Sequence, residues 1–204
     1  MALGAPTLEL GMSQGSRRGR LIVLSGPSGV GKDTVIQQLL PLRPSLRRPA
    51  GYTTRTPRPG EIDGRDYSFV DLETFQAMEA GDRFLETASV HGNRYGTSRE
   101  RVAELLDAGS DVLLKPDVQG AAQLRDAGAD AIFVFLMPPS REVLSQRLQD
   151  RETESEEELA VRIRDADREM AEAGWYHYVV VNDEVARAAR EVASILANPD
   201  PASG

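Results

Sequence analysis

The run Gly26-Pro27-Ser28-Gly29-Val30-Gly31-Lys32 sets three glycines and a lysine where a chain of phosphates can be cradled. Gly26, Gly29 and Gly31 allow backbone angles and close approach that a side chain forbids. Their N–H groups can converge on one anion, and Lys32 adds a point charge for the β- and γ-phosphates. The pattern names a ligand class, a nucleoside triphosphate. The position after the lysine should carry Ser or Thr, whose hydroxyl helps to hold Mg²⁺. Here it is Asp33, with Thr34 following. A second set of phosphate-handling residues lies in Thr53-Thr54-Arg55-Thr56-Pro57-Arg58-Pro59-Gly60-Glu61. Two arginines three residues apart, fixed by prolines, suit a fork-shaped clamp on one phosphate, and Tyr67 could add a hydroxyl donor.

These residues need a frame. The apolar run 21–24 before the glycine loop reads as a strand, and Val35, Ile36, Leu39 and Leu40 after it recur at helical spacing. Further apolar, β-rich runs occupy 112–114, 132–136 and 178–181, with helical patterns over 33–40, 99–108, 118–126, 140–148, 157–173 and 185–196. Continuous apolar strands alternating with helices predict an α/β fold with a parallel sheet buried on both faces. Such a sheet binds ligands at the carboxyl ends of its strands, which is where the glycine loop falls. Residues from about 50 to 98 break the alternation with short runs such as Tyr67-Ser68-Phe69-Val70, punctuated by Pro57, Pro59, Gly60 and Gly64. They read as an inserted lobe with strand character. The segment from about 147 to 168 is densely charged and helical in pattern. Residues 1–19 read as a disordered leader, 20–197 as the folded domain and 198–204 as a frayed tail.

Composition bounds the chemistry. A chain of 204 residues can bury one sizeable core with inserted lobes. It has no cysteine, so structural disulfides and thiolate metal sites are excluded. No apolar run approaches the roughly 20 residues that span a bilayer, so no membrane partner is expected. The net charge of −8 argues against a general nucleic-acid binder. An acidic chain that handles phosphates must gather its arginines locally, as this one does. No secretory pattern is visible at the amino end, which favours the cytoplasm. His91 and His177 have no acidic or histidine neighbours at ligand spacing and read as structural.

Beyond these physical readings, the sequence resembles guanylate kinase. The likeness is carried by Thr53–Glu61, Asp63-Gly64-Arg65-Asp66-Tyr67, Phe84-Leu85-Glu86 and Gly92-Asn93-Arg94-Tyr95-Gly96-Thr97-Ser98. It continues through Asp117-Val118-Gln119-Gly120-Ala121 and Val179-Val180-Val181-Asn182-Asp183. The resemblance implies a P-loop kinase fold with a core, a GMP-binding lobe and a helical lid. It implies phosphoryl transfer from ATP to GMP, and to dGMP, with Mg²⁺, in a monomer or small homo-oligomer. It further implies that residues 26–34 (Gly26, Pro27, Ser28, Gly29, Val30, Gly31, Lys32, Asp33 and Thr34) bind ATP, with Asn182 near the adenine. Arg55, Arg58, Tyr67 and Tyr95 would hold the GMP phosphate, and Glu86, Thr97 and Asp117 would face guanine. Lys32, Arg147, Arg151 and Arg162 would attend the transferring phosphate.

The chemistry of guanine agrees with this. Its N1–H and N2–H₂ groups donate and its O6 accepts. A carboxylate such as Glu86 accepts from the first two, and a hydroxyl such as Thr97 donates to the third. Adenine presents the reverse pattern and would leave buried polar groups unpaired, at about 1–3 kcal/mol for each.

Three positions depart from the family's usual pattern. Gly51 stands where a base-facing serine is usual, and Lys115-Pro116-Asp117 replaces an acidic-Ile-Asp triplet. Asp33 replaces the hydroxyl after the lysine. Thr34 could serve in its place, or Asp33 could itself face Mg²⁺, a hard ion that carboxylates bind well. One reading is that an acidic group has moved from the strand to the loop. Lys115 either binds phosphate or points away. Two other functions are compatible with the fold: an inactive, protein-binding member of the family, and a kinase for another phosphorylated acceptor. The presence of Lys32, Arg147, Arg151 and Arg162 argues against the first, and the Glu86/Thr97 pair against the second.

Overall fold

The computed structural model describes residues 17–90, 92–149 and 156–199. The expected leader up to residue 16, the tail from 200, His91, and the lid stretch 150–155 with Arg151 fall outside them. In chain order the elements begin with β1 (Leu21–Ser25), α1 (Lys32–Leu42), β2 (Leu46–Arg47), β3 (Gly51–Thr53), β4 (Tyr67–Phe69), α2 (Leu72–Ala80), β5 (Phe84–Val90) and β6 (Asn93–Ser98). They continue with α3 (Arg99–Asp107), β7 (Asp111–Leu114), α4 (Val118–Asp126), β8 (Ala131–Met137), α5 (Arg141–Gln149), α6 (Glu156–Ala171), a 3₁₀ turn (Glu172–Trp175), β9 (Tyr178–Val181) and α7 (Val185–Ala197).

The core sheet has five strands in the order β2-β7-β1-β8-β9, and every pairing is parallel. Its strands are apolar throughout because both faces are covered. Along β1, Ile22 and Leu24 pack toward Val35, Ile36 and Leu39 of α1 and Val192 and Leu196 of α7. Leu21 and Val23 pack the other way, onto Val102 and Leu106 of α3 and Leu124 of α4. Period-two alternation within a continuous apolar run thus builds two cores, one on each side of the sheet. A third, small cluster of Leu144, Leu148 and Ala166 holds α5 to α6.

The inserted lobe is a second sheet of four strands, β4-β3-β6-β5. It closes on Phe75 of α2, which is fully buried and stacks on Phe84 with ring centroids 4.6 Å apart. The lobe and the core share α4. That helix leaves the core sheet at Asp117, whose carboxylate caps it by accepting from the Gly120 N–H at 2.7 Å. Further along, the Gln123 side-chain amide forms two hydrogen bonds with the backbone of Thr87 in β5. It accepts from the Thr87 N–H at 3.1 Å and donates to the Thr87 carbonyl at 3.0 Å.

His177 accepts from the Phe133 N–H at 3.2 Å and packs edge-on to the Phe133 ring, a structural placement. Ahead of β1, the Gly19 N–H donates to the Leu106 carbonyl at 2.8 Å. No described helix is long and apolar enough to cross a membrane.

Candidate active site

The glycine loop is braced from below. β1 ends at Ser25, whose hydroxyl donates to the Pro116 carbonyl at 3.2 Å and so ties the ends of β1 and β7 together. Gly31 caps α1 with φ of 96°, the left-handed region that favours glycine. A Cβ there would lie 2.8 Å from the Asn182 amide nitrogen. Asn182 is buried, and its side-chain N–H₂ donates to the Val30 carbonyl at 2.7 Å. The Arg147 guanidinium donates to the same Val30 carbonyl and to the Asn182 carbonyl, each at 3.2 Å. Asn182 and Arg147 therefore stand behind the loop. Between them they fix the Val30 carbonyl, just ahead of Gly31 and the start of α1.

Lys32 folds over the loop and donates to the Gly26 and Pro27 carbonyls. Burial lowers its pKa from 10.5 to about 8, and the nearby Glu169 carboxylate opposes the fall. Glu169, on α6, accepts from the Ser28 N–H at 3.0 Å. The Arg162 guanidinium donates to the Ser28 hydroxyl at 3.2 Å. A carboxylate oxygen thus already occupies one of the loop's anion positions, and burial raises the Glu169 pKa.

The register of the β5–β6 hairpin sets Glu86 opposite Thr97. The Thr97 hydroxyl donates to Glu86 Oε1 at 2.6 Å. Glu86 is only 8% exposed, and this burial lifts its pKa from 4.5 to about 7; Thr97 opposes the shift and Asp117 adds to it. The other carboxylate oxygen rests on Gly120, where a Cβ would lie 2.7 Å from Glu86 Oε2. Gly120→Ala is expected to push the carboxylate off its seat. With Glu86 in the guanine-facing role that the resemblance implies, KM for GMP would rise about tenfold, as for a lost hydrogen bond to a charged group. Steady-state kinetics with GMP varied checks it.

Arg55 and Arg58, the arginines expected to clamp a phosphate, lie outside the cavity wall that holds Glu86 and Thr97. Arg55 forks onto both oxygens of Glu61 at 2.6 Å, and its guanidinium covers the Tyr67 ring at 5.2 Å. The same Glu61 accepts from the Arg58 N–H at 2.8 Å, and these bonds hold its pKa down to about 2. Glu61, with no role assigned from sequence beyond its place in the motif, is thus what shapes the arginine loop. The Arg58 side chain is exposed. Tyr67 and Tyr95 meet edge-on with centroids 5.9 Å apart.

One cavity of about 420 Å³ joins these parts. The loop from Pro27 to Thr34 lines one end, and Tyr67, Glu86, Tyr95 and Thr97 line the other, with Asp117 between them. Arg55, Arg58, Asn182, Arg147 and Arg162 are not in its wall. Arg48, Lys115 and Glu169 are in the wall, and the motifs gave none of them a firm role. Glu169 lies in a helix so rich in charge that nothing in the sequence distinguishes it from solvated neighbours.

A family model described as guanylate kinase matches residues 18–199. The chain belongs to the guanylate kinase family. A guanylate kinase from Geobacter sulfurreducens is 46% identical over 180 residues, covering 88% of this chain and 89% of the relative. One from Sphingopyxis alaskensis is 48% identical over 182 residues, covering 89% and 83%. The crystal structure of guanylate kinase from Anaplasma phagocytophilum superposes with a TM-score of 0.70 at 31% identity, covering 89% of this chain and 86% of that one.

Two of the departures from the guanylate kinase pattern meet in space. Lys115 donates to both Asp33 oxygens, at 2.7 and 2.9 Å. Burial raises the Asp33 pKa, but Lys115 outweighs it, and the carboxyl stays below its ordinary range. The acid on the loop is therefore paired with the base on the strand. Gly51 lines the cavity, and a Cβ there would crowd the Gly96 carbonyl at 3.2 Å and touch the Tyr67 ring at 3.8 Å, so a side chain would need that backbone to give way.

Proposed function

We propose that this member of the guanylate kinase family transfers the γ-phosphoryl group of ATP to GMP, and to dGMP, in the cytoplasm. The observation that carries the reading is the single cavity joining the glycine loop to the buried Glu86–Thr97 pair. A GMP phosphate oxygen attacks the γ-phosphorus. The bond from that phosphorus to the β,γ-bridging oxygen breaks, and ADP leaves with the electron pair. Such transfers need positioning and charge rather than a protein nucleophile. Loop N–H groups and Lys32 bind the triphosphate. Binding must displace Glu169 from Ser28, and Arg162 is already at that spot. Arg147 and Asn182 act through the loop they brace. Arg55 and Arg58, on the Glu61-shaped loop, and Tyr67 and Tyr95 take the GMP phosphate. Glu86 accepts from guanine N1–H and N2–H₂, and Thr97 turns its hydroxyl to O6.

Mg²⁺, which kinase chemistry calls for, fits the donor set. Asp33 and Thr34 are adjacent, exposed oxygen donors in the cavity wall beside the loop. This ion needs only one or two protein oxygens when phosphates and waters complete its shell. Bound there, it would neutralise charge on the β- and γ-phosphates.

ADP release measured with GMP, dGMP, AMP, UMP and no acceptor tests the reading. Turnover confined to GMP and dGMP is expected. Preference for AMP or UMP, or none with any acceptor, would overturn it.

A further inference from the structure

We infer that Lys115 is a phosphate-binding residue of the transfer site, paired with Asp33 until substrate phosphate takes the place of that carboxylate. The inference rests on the two-nucleotide reading of the cavity.

Position comes first. Lys115 follows directly on β7, whose Leu114 pairs with Val23 of β1. The next residue, Pro116, is pinned to Ser25. The backbone that carries the Lys115 ammonium group is therefore fixed at the carboxyl end of the core sheet. On one side lies Asp33, next to Lys32 at the start of α1. On the other, Asp117 stands close enough to Glu86 to raise its pKa. Lys115 thus marks the boundary between the triphosphate end and the base-binding end of the cavity.

The pair is also lopsided. The Lys115 side chain is 19% exposed, whereas that of Asp33 is 63% exposed. Released from the pair, Asp33 is solvated at once and free to meet a cation. Lys115 released alone would be a half-buried ammonium in need of an anion. An ion pair with one such exposed partner is weak. A phosphate carries more charge than a carboxylate and brings several acceptor oxygens, so it wins the exchange. An ammonium with three donors can also touch oxygens of two phosphates, which repel each other as they come into line. Lys115 forms and breaks no covalent bond. The bonds made and broken are those of the reaction above.

The test is a sign prediction, read by calorimetric titration of ATP in EDTA, with no metal present. Asp33→Asn removes that carboxylate and is expected to tighten metal-free ATP about fivefold. Lys115→Met is expected to weaken it about tenfold, and the double variant should follow Lys115→Met. If Asp33→Asn weakens or does not change binding, or a folded Lys115→Met matches the wild type, the assignment is wrong. Should Lys115→Met fail to fold, Asp33→Asn decides alone, since its exposed side chain can be changed without disturbing the core. Wild-type turnover with the acceptor panel reports separately on the function itself.

Discussion

Replacing Lys32 by Met is expected to lower kcat with GMP by about 10²- to 10³-fold, the loss typical of removing one preorganised charge-stabilising donor. Methionine keeps the length and apolar stem of the side chain but donates to neither of the two loop carbonyls that Lys32 holds, while Arg147 and Asn182 still brace the loop at Val30. The melting temperature should move little while turnover collapses. Lys32 also sets an alkaline limit. With its pKa lowered to about 8 in the free enzyme, it is charged at neutral pH and loses its proton as pH rises past 8. KM for ATP should therefore climb above pH 8 in the wild type, and the climb should vanish in the Met variant. A wild-type KM for ATP that stays flat to pH 9.5 would refute this account.

Glu86→Gln is expected to raise KM for GMP about 10²-fold and to narrow the preference over AMP. It puts an amide N–H₂ where an acceptor must face two guanine donors, and a site built on such pairing discriminates strongly. The acid side carries a second signature. Burial favours the neutral form of Glu86, with a pKa near 7 against an ordinary 4.5. The stability it contributes to the empty protein is thus fully present below pH 4.5 and lost as pH rises through about 7. GMP requires the ionised form. Below pH 7 its affinity should fall by about tenfold per pH unit. The thermal stabilisation given by GMP should accordingly be larger at pH 8 than at pH 6, and the Gln variant should show no such difference. A wild-type shift equal at both pH values would sink the role given to Glu86.

Some of this was written plainly in the chain. The glycine loop is legible because its chemistry is local: strand, turn, lysine and helix follow one another without interruption. Glu86 and Thr97 are legible through guanine's donor pattern, and a hairpin of ordinary register is enough to set them face to face. The core sheet follows from apolar runs that need cover on both faces. What could not be read depends on neighbours remote in sequence. β2 is only two residues long and exists because β7 offers it an edge. The helix α2 shows one fully buried side chain, Phe75, too little periodicity to stand out. Asp33 and Lys115 were each visible as departures, but their meeting depends on β1 and β7 being adjacent in the sheet. Glu169 reaches Ser28 only because α6 packs against α5 across a small apolar cluster.

The Gln123 clasp on Thr87 has a mechanical meaning. Two neutral hydrogen bonds, each contributing about 0.5–1.5 kcal/mol, fasten the inserted lobe to α4. Any rotation of the lobe against that helix would have to strain or break them, at an energy small beside that of binding a nucleotide. Gln123 lies outside the cavity wall, so shortening it would loosen the join between lobe and core while leaving the lining of the site unchanged.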